Sequence, residues 1–345
     1  MSATSTPKFK NPRAQHNFQG RTVSITGVGS FVPAKVLTNH DLEKMVETSD
    51  EWITSRTGIK QRRIAAKDEF TSDMAAKAGQ RALKMAGVTP EHVDLIIVAT
   101  ITPDMPFPST ACFVQHKIGA RRAAAFDLEA ACSGFIYGIE IAQQFIMSRT
   151  YDTVLVIGAE KLSTVVDWQD RNTCVLFGDG AGAVVLQNRA NSHGLLTAVM
   201  GADGNKAELL HMPAGGSRCP ATKESVDARL HYLRMDGKET FKNAVQAMLT
   251  AAQEALRRCE LKISQIKCVI PHQANRRIID AVGERLGARA DQLFVNLDRY
   301  GNTSAASVGI ALDEAVSSGK VGRGDLILLV VFGAGLTWGA AVIEW

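Results

Sequence analysis

The stretch Phe126-Asp127-Leu128-Glu129-Ala130-Ala131-Cys132-Ser133-Gly134-Phe135 decides how the rest of this chain is read. A strand-like run leads up to a cysteine, a Ser-Gly turn follows, and Phe135, Ile139, Ala142 and Ile146 then recur at helical spacing. Cys132 is therefore expected at the start of a buried helix. Unpaired N–H groups and the positive end of the helix dipole favour an anion there, so the spacing predicts a stabilised thiolate with a lowered pKa. A thiol in that state is a nucleophile. The competing reading is a small apolar cysteine that only fills space.

On either side of this stretch strands and helices alternate. Residues 23–28 read as a strand, Thr71-Ser72 as the cap of a helix, and residues 93–99 and 153–158 as continuous apolar strands. Such runs suit a parallel sheet covered on both faces. The glycine-rich segment 177–186 has neither the spacing nor the lysine of a phosphate loop. The second half then echoes the first. A helix over 239–259 leads into 262–270 as the helix from Thr71 leads into 90–98, and Ile118-Gly119-Ala120-Arg121 returns as Leu286-Gly287-Ala288-Arg289. Strand 153–158 is matched by 325–333, and 182–186 by 339–344. A duplication of this length implies two similar β/α halves, 21–190 and 191–345, about a pseudo-two-fold axis. It sets Leu128-Glu129 against Leu297-Asp298 and Cys132-Ser133 against Gly301-Asn302. The strand end after Val98 matches Pro271-His272-Gln273-Ala274-Asn275. Helix starts and strand ends from both halves would converge on one crevice, with Cys132, His272 and Asn302 in it.

The chain has 345 residues, 46% of them hydrophobic, enough for a large core and about two domains. A net charge of +4 without long single-sign runs argues against a nucleic-acid binder. Six cysteines without a C-x-x-C pair read as reduced cytosolic thiols, with no metal site expected. Residues 1–20 are polar, hold Lys8, Lys10 and Arg13 and no acid, and read as a disordered extension or a short organelle-targeting segment. The apolar tract from Leu326 to the end is broken by Gly333, Gly335 and Gly339, so it reads as two strands and not as a membrane span.

Cys, His and Asn together serve two chemistries. A papain-like hydrolase uses Asn to orient His and His to activate Cys; a thioester-condensing enzyme acylates Cys and uses His and Asn as donors to a second thioester carbonyl. The duplicated plan argues against the hydrolase. Trp52 and Arg56, one helical turn apart, could stack on a flat ligand such as a base, or the Arg stem could simply cover a surface Trp. His272 taken alone also reads as a structural loop histidine.

Four segments together resemble the β-ketoacyl-acyl carrier protein synthase III family. They are Ala130-Ala131-Cys132-Ser133-Gly134-Phe135, Pro271-His272-Gln273-Ala274-Asn275-Arg276-Arg277, Tyr300-Gly301-Asn302-Thr303-Ser304-Ala305 and Phe332-Gly333-Ala334-Gly335-Leu336-Thr337-Trp338-Gly339. The resemblance spans residues 21–345. It implies an α/β thiolase-like fold, two duplicated halves in five α-β-α-β-α layers, and a decarboxylative condensation of acyl-CoA, typically acetyl-CoA, with malonyl-acyl carrier protein. It also implies a cytoplasmic homodimer that needs no cofactor. Cys132, His272 and Asn302 would be catalytic, with the oxyanion held by the backbone N–H groups of Cys132 and Ala334. Ala334 replaces a glycine frequent in the family. Trp52, Arg56, Arg171, Met235, Gly237, Phe241, Asn275 and Arg277 would line the CoA channel, and Phe107 would close the acyl pocket of the partner subunit. Lys242, Gln273, Arg276 and Arg277, with Arg285 a weaker candidate, would meet the acidic carrier protein. The alternatives are a related condensing or acyl-transfer enzyme of secondary metabolism and a silent scaffold that binds acyl-CoA or carrier protein.

Overall fold

In the computed structural model residues 22–189 and 194–345 are described, so the extension expected over 1–20 lies outside the described residues. Alternation within the apolar strands creates two covered faces. Leu95 and Ile97 point into a middle layer while Ile96 and Val98 point to outer helices, and Ile327, Leu329 and Val331 alternate likewise with Leu328 and Val330. Each of these strands is therefore buried on both sides, which is why no polar position interrupts them.

The first sheet runs, in spatial order, Val23–Phe31, Gly180–Asn188, Thr153–Glu160, Leu95–Ala99 and Ala124–Leu128. The first two pairings are antiparallel and the last two parallel. The second sheet runs Leu195–Ala202, Thr337–Glu344, Leu326–Gly333 and Cys268–Pro271, with antiparallel, antiparallel and parallel pairings, and a parallel bridge from Val269 to Leu293 adds the start of a fifth position. The order and directions thus repeat across the two sheets. The echoed glycines behave alike: Gly119 and Gly287 each end a helix in the left-handed region, at φ of 79° and 75°.

Two helices, Gly134–Met147 and Ala306–Ser317, lie between the sheets. Phe135, Ile136, Ile139, Ala142 and Ile146 from the first meet Val308, Ala311, Leu312 and Ala315 from the second in one core with both inner sheet faces. Thr71–Ala86 and Thr110–Ile118 cover the outside of the first sheet, and Gly237–Arg258 and Arg276–Leu286 that of the second. The result is the expected α-β-α-β-α layering. Close approach in the middle layer needs glycine: a Cβ on Gly182 would sit 2.5 Å from the backbone of Gly309. Two local expectations change. Phe70, not Thr71-Ser72, precedes the first turn of the helix Thr71–Ala86, and its N–H donates to the Asp73 carboxylate at 2.8 Å. The register between Cys132-Ser133 and Gly301-Asn302 is offset, because a short helix Leu297–Tyr300 is present only in the second half.

Candidate active site

The loops ahead of the two central helices and the ends of the flanking strands meet at one edge of the middle layer. Cys132 lies in a 3₁₀ turn, Ala131–Ser133, that feeds the helix Gly134–Met147. Ala131 holds φ at 45° and Ser304, ahead of the other central helix, at 49°. Left-handed backbone at residues with a Cβ costs about 1 kcal/mol or more, and such strain collects where surrounding structure fixes a reactive group. The Thr337 hydroxyl bonds the Ala130 and Ala334 carbonyls, both at 3.0 Å, and so ties the cysteine turn to the loop after Leu326–Gly333. A Cβ on Gly333 would stand 2.7 Å from the Cys132 nitrogen, so the two backbones approach as only glycine allows.

His272 follows the strand Cys268–Pro271, and its N–H donates to the Val330 carbonyl at 2.7 Å. Its Nδ1 is 2.6 Å from the Ser307 hydroxyl. Burial lowers its pKa to about 4, so the ring is neutral near pH 7 and carries one N–H. Asn302 is fixed through its backbone, which donates to Leu176 O at 2.8 Å and accepts from Gly178 N at 3.0 Å. Its side-chain oxygen accepts the Ser304 N–H at 2.8 Å, which leaves the NH₂ group to face a ligand.

Cys132, His272 and Asn302 line a single cavity of about 100 Å³ with Met235, Gly237, Phe241, Asn275 and Gly333. Cys132 also lines a larger cavity of about 750 Å³, whose wall includes Ile101, Leu162, Val165, Leu233 and Ala334. The sulfur thus stands where a narrow, mostly apolar channel meets a wider chamber. The lowered thiol pKa expected from the helix start is not found. Burial pushes Cys132 up to about 12, a Ser304 hydrogen bond opposes this, and Glu160 adds to it. A helix dipole contributes about 2 kcal/mol at most, near 1.5 pKa units, and does not offset burial of that size.

At the outer end, Trp52 is half-buried rather than exposed, because its ring leans on the apolar cluster around Ile53 and Leu297. The guanidinium groups of Arg56 and Arg171 lie 4.8 and 5.2 Å from its centroid. Arg277 sits 5.4 Å from the Phe241 ring, and Asn275 caps its helix by accepting the Arg277 N–H at 2.9 Å. Lys242, Arg276, Arg277 and Arg285 are exposed, and Arg276 pairs with Asp280. Gln273 is not a surface residue. It is 1% exposed, its NH₂ bonds Pro271 O and Phe294 O, and its oxygen accepts the Asn296 N–H, so it holds the second half together and cannot touch a protein partner. Phe107 is 85% exposed on the loop after Leu95–Ala99. Among the described residues no helix is long and apolar enough to cross a membrane, and no metal-holding cluster of His, Cys, Asp or Glu occurs.

Sequence reasoning missed Glu160, Ser304, Ser307 and Thr337. Glu160 had a signal, a lone acid two residues beyond an apolar strand read as 153–158; in the structure that strand continues to it. The hydroxyls gave none, because Ala130, Glu160 and His272, which they bond, lie far away in the chain.

Models of 3-oxoacyl-[acyl-carrier-protein] synthase III match residues 126–204, and of its C-terminal part residues 256–345. The β-ketoacyl-[acyl-carrier-protein] synthase III of Caldanaerobacter subterraneus is 58% identical over 321 residues, 93% of this chain and 97% of its own length. The crystal structure of 3-oxoacyl-[acyl-carrier-protein] synthase III from Aquifex aeolicus superposes with a TM-score of 0.87 at 52% identity, covering 94% of this chain and 100% of that one. The priming β-ketosynthase of a polyketide biosynthetic pathway gives 0.87 at 37% identity, with 98% of each chain covered.

Proposed function

The chain belongs to the 3-oxoacyl-[acyl-carrier-protein] synthase III family, and from that premise we propose how Cys132, His272 and Asn302 divide the work of a condensing acyltransferase of fatty acid biosynthesis. The observation that carries the reading is the position of Cys132 on both cavities, one able to hold a pantetheine arm and the other an acyl chain. Acyl-CoA enters with its adenine against Trp52, Arg56 and Arg171 and its phosphates near Arg277. Its arm runs past Met235, Gly237, Phe241 and Asn275 to the sulfur. Cys132 attacks the thioester carbonyl, and the backbone N–H groups of Cys132 and Ala334 hold the oxyanion. CoA leaves and the acyl group stays on Cys132.

Malonyl-acyl carrier protein then takes the same channel, its acidic surface against Lys242, Arg276 and Arg277. We assign the single ring hydrogen of His272 to Nε2, the tautomer in which Nδ1 accepts from the Ser307 hydroxyl 2.6 Å away, and with the Asn302 NH₂ it bonds the malonyl thioester carbonyl. As carbon dioxide leaves, both donors stabilise the enolate, whose carbon attacks the acyl-Cys to give 3-oxoacyl-acyl carrier protein. We assign the active form as a cytoplasmic homodimer in which Phe107 of each protomer closes the other's acyl chamber, needing no cofactor beyond the two thioesters. The halves 21–190 and 191–345 act as one nucleophile-bearing and one decarboxylating unit.

Intact mass after incubation with acetyl-CoA tests the assignment. The parent protein gains one acetyl group at Cys132 and the Cys132→Ser protein gains none. His272→Ala and Asn302→Ala acylate but no longer release carbon dioxide from malonyl-acyl carrier protein; retained decarboxylation in both would defeat the roles given to them, and an unacetylated parent would leave only a scaffold.

A further inference from the structure

We propose that Arg62 is a positioning residue for the condensation step: its buried guanidinium anchors the segment to which Asn302 is bonded, and so sets the aim of the Asn302 NH₂ group. The proposal rests on the role given above to Asn302 and adds what holds that side chain in place. Arg62 lies on the short strand Gln61–Ile64, which pairs antiparallel with Lys35–Thr38. It is fully buried, at 0% exposure. One Nη donates to Val175 O at 2.7 Å, and the other to Asn39 Oδ1 at 2.9 Å and Leu37 O at 3.2 Å. All three acceptors are neutral, and Nε is buried without a partner. Burial lowers the pKa to about 10, which still leaves the group charged at neutral pH. A buried charge whose hydrogen bonds reach no carboxylate costs a fold stability, so its presence calls for a reason.

The reason lies in what the guanidinium holds. Val175 opens the run Val175-Leu176-Phe177-Gly178, and this run clasps Asn302: the Asn302 N–H donates to Leu176 O at 2.8 Å, and its carbonyl accepts the Gly178 N–H at 3.0 Å. Residues on either side of Arg62 bond both partners of the clasp. The Lys60 N–H donates to Asp298 O at 3.1 Å, and Arg63 O accepts the Asp179 N–H at 2.8 Å. Arg62 itself packs against the seam, since a Cβ on Gly178 would lie 3.0 Å from the Arg62 Cβ and one on Gly301 3.2 Å. Its planar fork then ties the Val175 side of the clasp to Leu37 and Asn39, a span that a single ammonium does not bridge. Asn39 is 1% exposed and donates to Asp50 Oδ1 and Ile59 O, both at 2.8 Å, so the anchor is itself fixed. Cys132 is held by other contacts, the Thr337 hydroxyl and the close approach of Gly333. Arg62 therefore bears on the second half-reaction and not on the first.

The test uses full-length protein carrying Arg62→Gln, Arg62→Lys, Asn302→Ala, or Arg62→Gln combined with Asn302→Ala. Rapid-quench intact mass follows acetylation of Cys132 by acetyl-CoA, and carbon dioxide release from malonyl-acyl carrier protein by the pre-acetylated protein follows the second step. Because a shift of about 1 Å in a reacting group costs on the order of 10² in rate, Arg62→Gln is expected to lose about that factor in carbon dioxide release while acetylating within about threefold of the parent. Arg62→Lys keeps the charge and one donor to Val175 O, and recovers part of the loss. In the Asn302→Ala background Arg62→Gln costs less than about threefold more, since no amide remains to be aimed. Equal losses in both steps, a full additional loss in the combined variant, or carbon dioxide release at the parent rate in Arg62→Gln would each overturn the proposal. Should Arg62→Gln lose its melting transition, Arg62→Lys decides alone, with a smaller loss confined to the second step. Decarboxylation lost in Asn302→Ala but kept in both Arg62 variants refutes the positioning and leaves the proposed function standing. Kept in Asn302→Ala, it removes the role of that side chain and this proposal with it.

Discussion

Replacing Gly333 by alanine tests whether the backbone around Cys132 is positioned for an oxyanion. The added Cβ would lie 2.7 Å from the Cys132 nitrogen and 3.1 Å from both the Ser133 nitrogen and the Thr337 hydroxyl. Contact at ordinary van der Waals distance needs roughly 3.5 Å, so the cysteine turn and the 333–337 loop must part by close to 1 Å. Neither can yield easily, because the Thr337 hydroxyl bonds a carbonyl on each side and Ala131 is already held at positive φ. A shift of about 1 Å in a reacting geometry costs on the order of 10² in rate, and loss of one oxyanion donor about 10²–10³. Acetylation of Cys132 is therefore expected to slow by about 10²–10³-fold, or about 3–4 kcal/mol in the barrier. With CoA placed against Trp52 as proposed, affinity for CoA itself is expected to stay as it was. Rapid-quench intact mass measures the first quantity and calorimetry the second. Acetylation within about threefold of the parent, far below the smallest loss such donors cause, would refute the placement of the oxyanion there.

Thr337→Val removes the hydroxyl that satisfies the Ala130 and Ala334 carbonyls and should cost about 1–3 kcal/mol in urea unfolding, with slower acetylation. Trp52→Ala removes the ring between Arg56 and Arg171; a ring contact of about 0.5–2 kcal/mol predicts a KM for acetyl-CoA raised roughly 2- to 30-fold with kcat unchanged. Burial lowers His272 to about 4, so the ring keeps one charge state and its N–H from pH 8 down to 5, and the proposed donor role predicts no His272-linked inflection over that range in decarboxylation by pre-acetylated enzyme. The same lowering acts on stability: the unfolded chain takes up this proton below about 6.5 and the native chain only below about 4. The parent thus loses up to about 3 kcal/mol relative to His272→Phe as pH falls across that window.

The layered fold was legible because burial on two faces leaves a continuous apolar run, and because a repeat shows itself in the spacing of helix-ending glycines such as Gly119 and Gly287. Cys132, His272 and Asn302 could be brought together on paper for the same reason, since strand order returns each to the same edge. The thiol pKa was misjudged because a helix start is visible in sequence while the desolvation around Cys132 comes from Phe177, Leu210 and Phe332, remote in the chain. Gln273 was misassigned for a related cause: a polar residue after a strand and a proline reads as loop, and only the folded chain brings Phe294 and Asn296 to its amide. Ser304 and Glu160 are separated by 144 positions, a pairing no local pattern encodes.

The paired central helices have a consequence for how this architecture can be inherited or engineered. Cutting the chain near residue 190 would strip Phe135, Ile139 and Val156 of the partners that keep them dry, and would leave a greasy slab on each fragment. Separate expression of the two pieces should therefore yield aggregates rather than half-enzymes, unless both are made together and close on one another before water-exposed surfaces find other company.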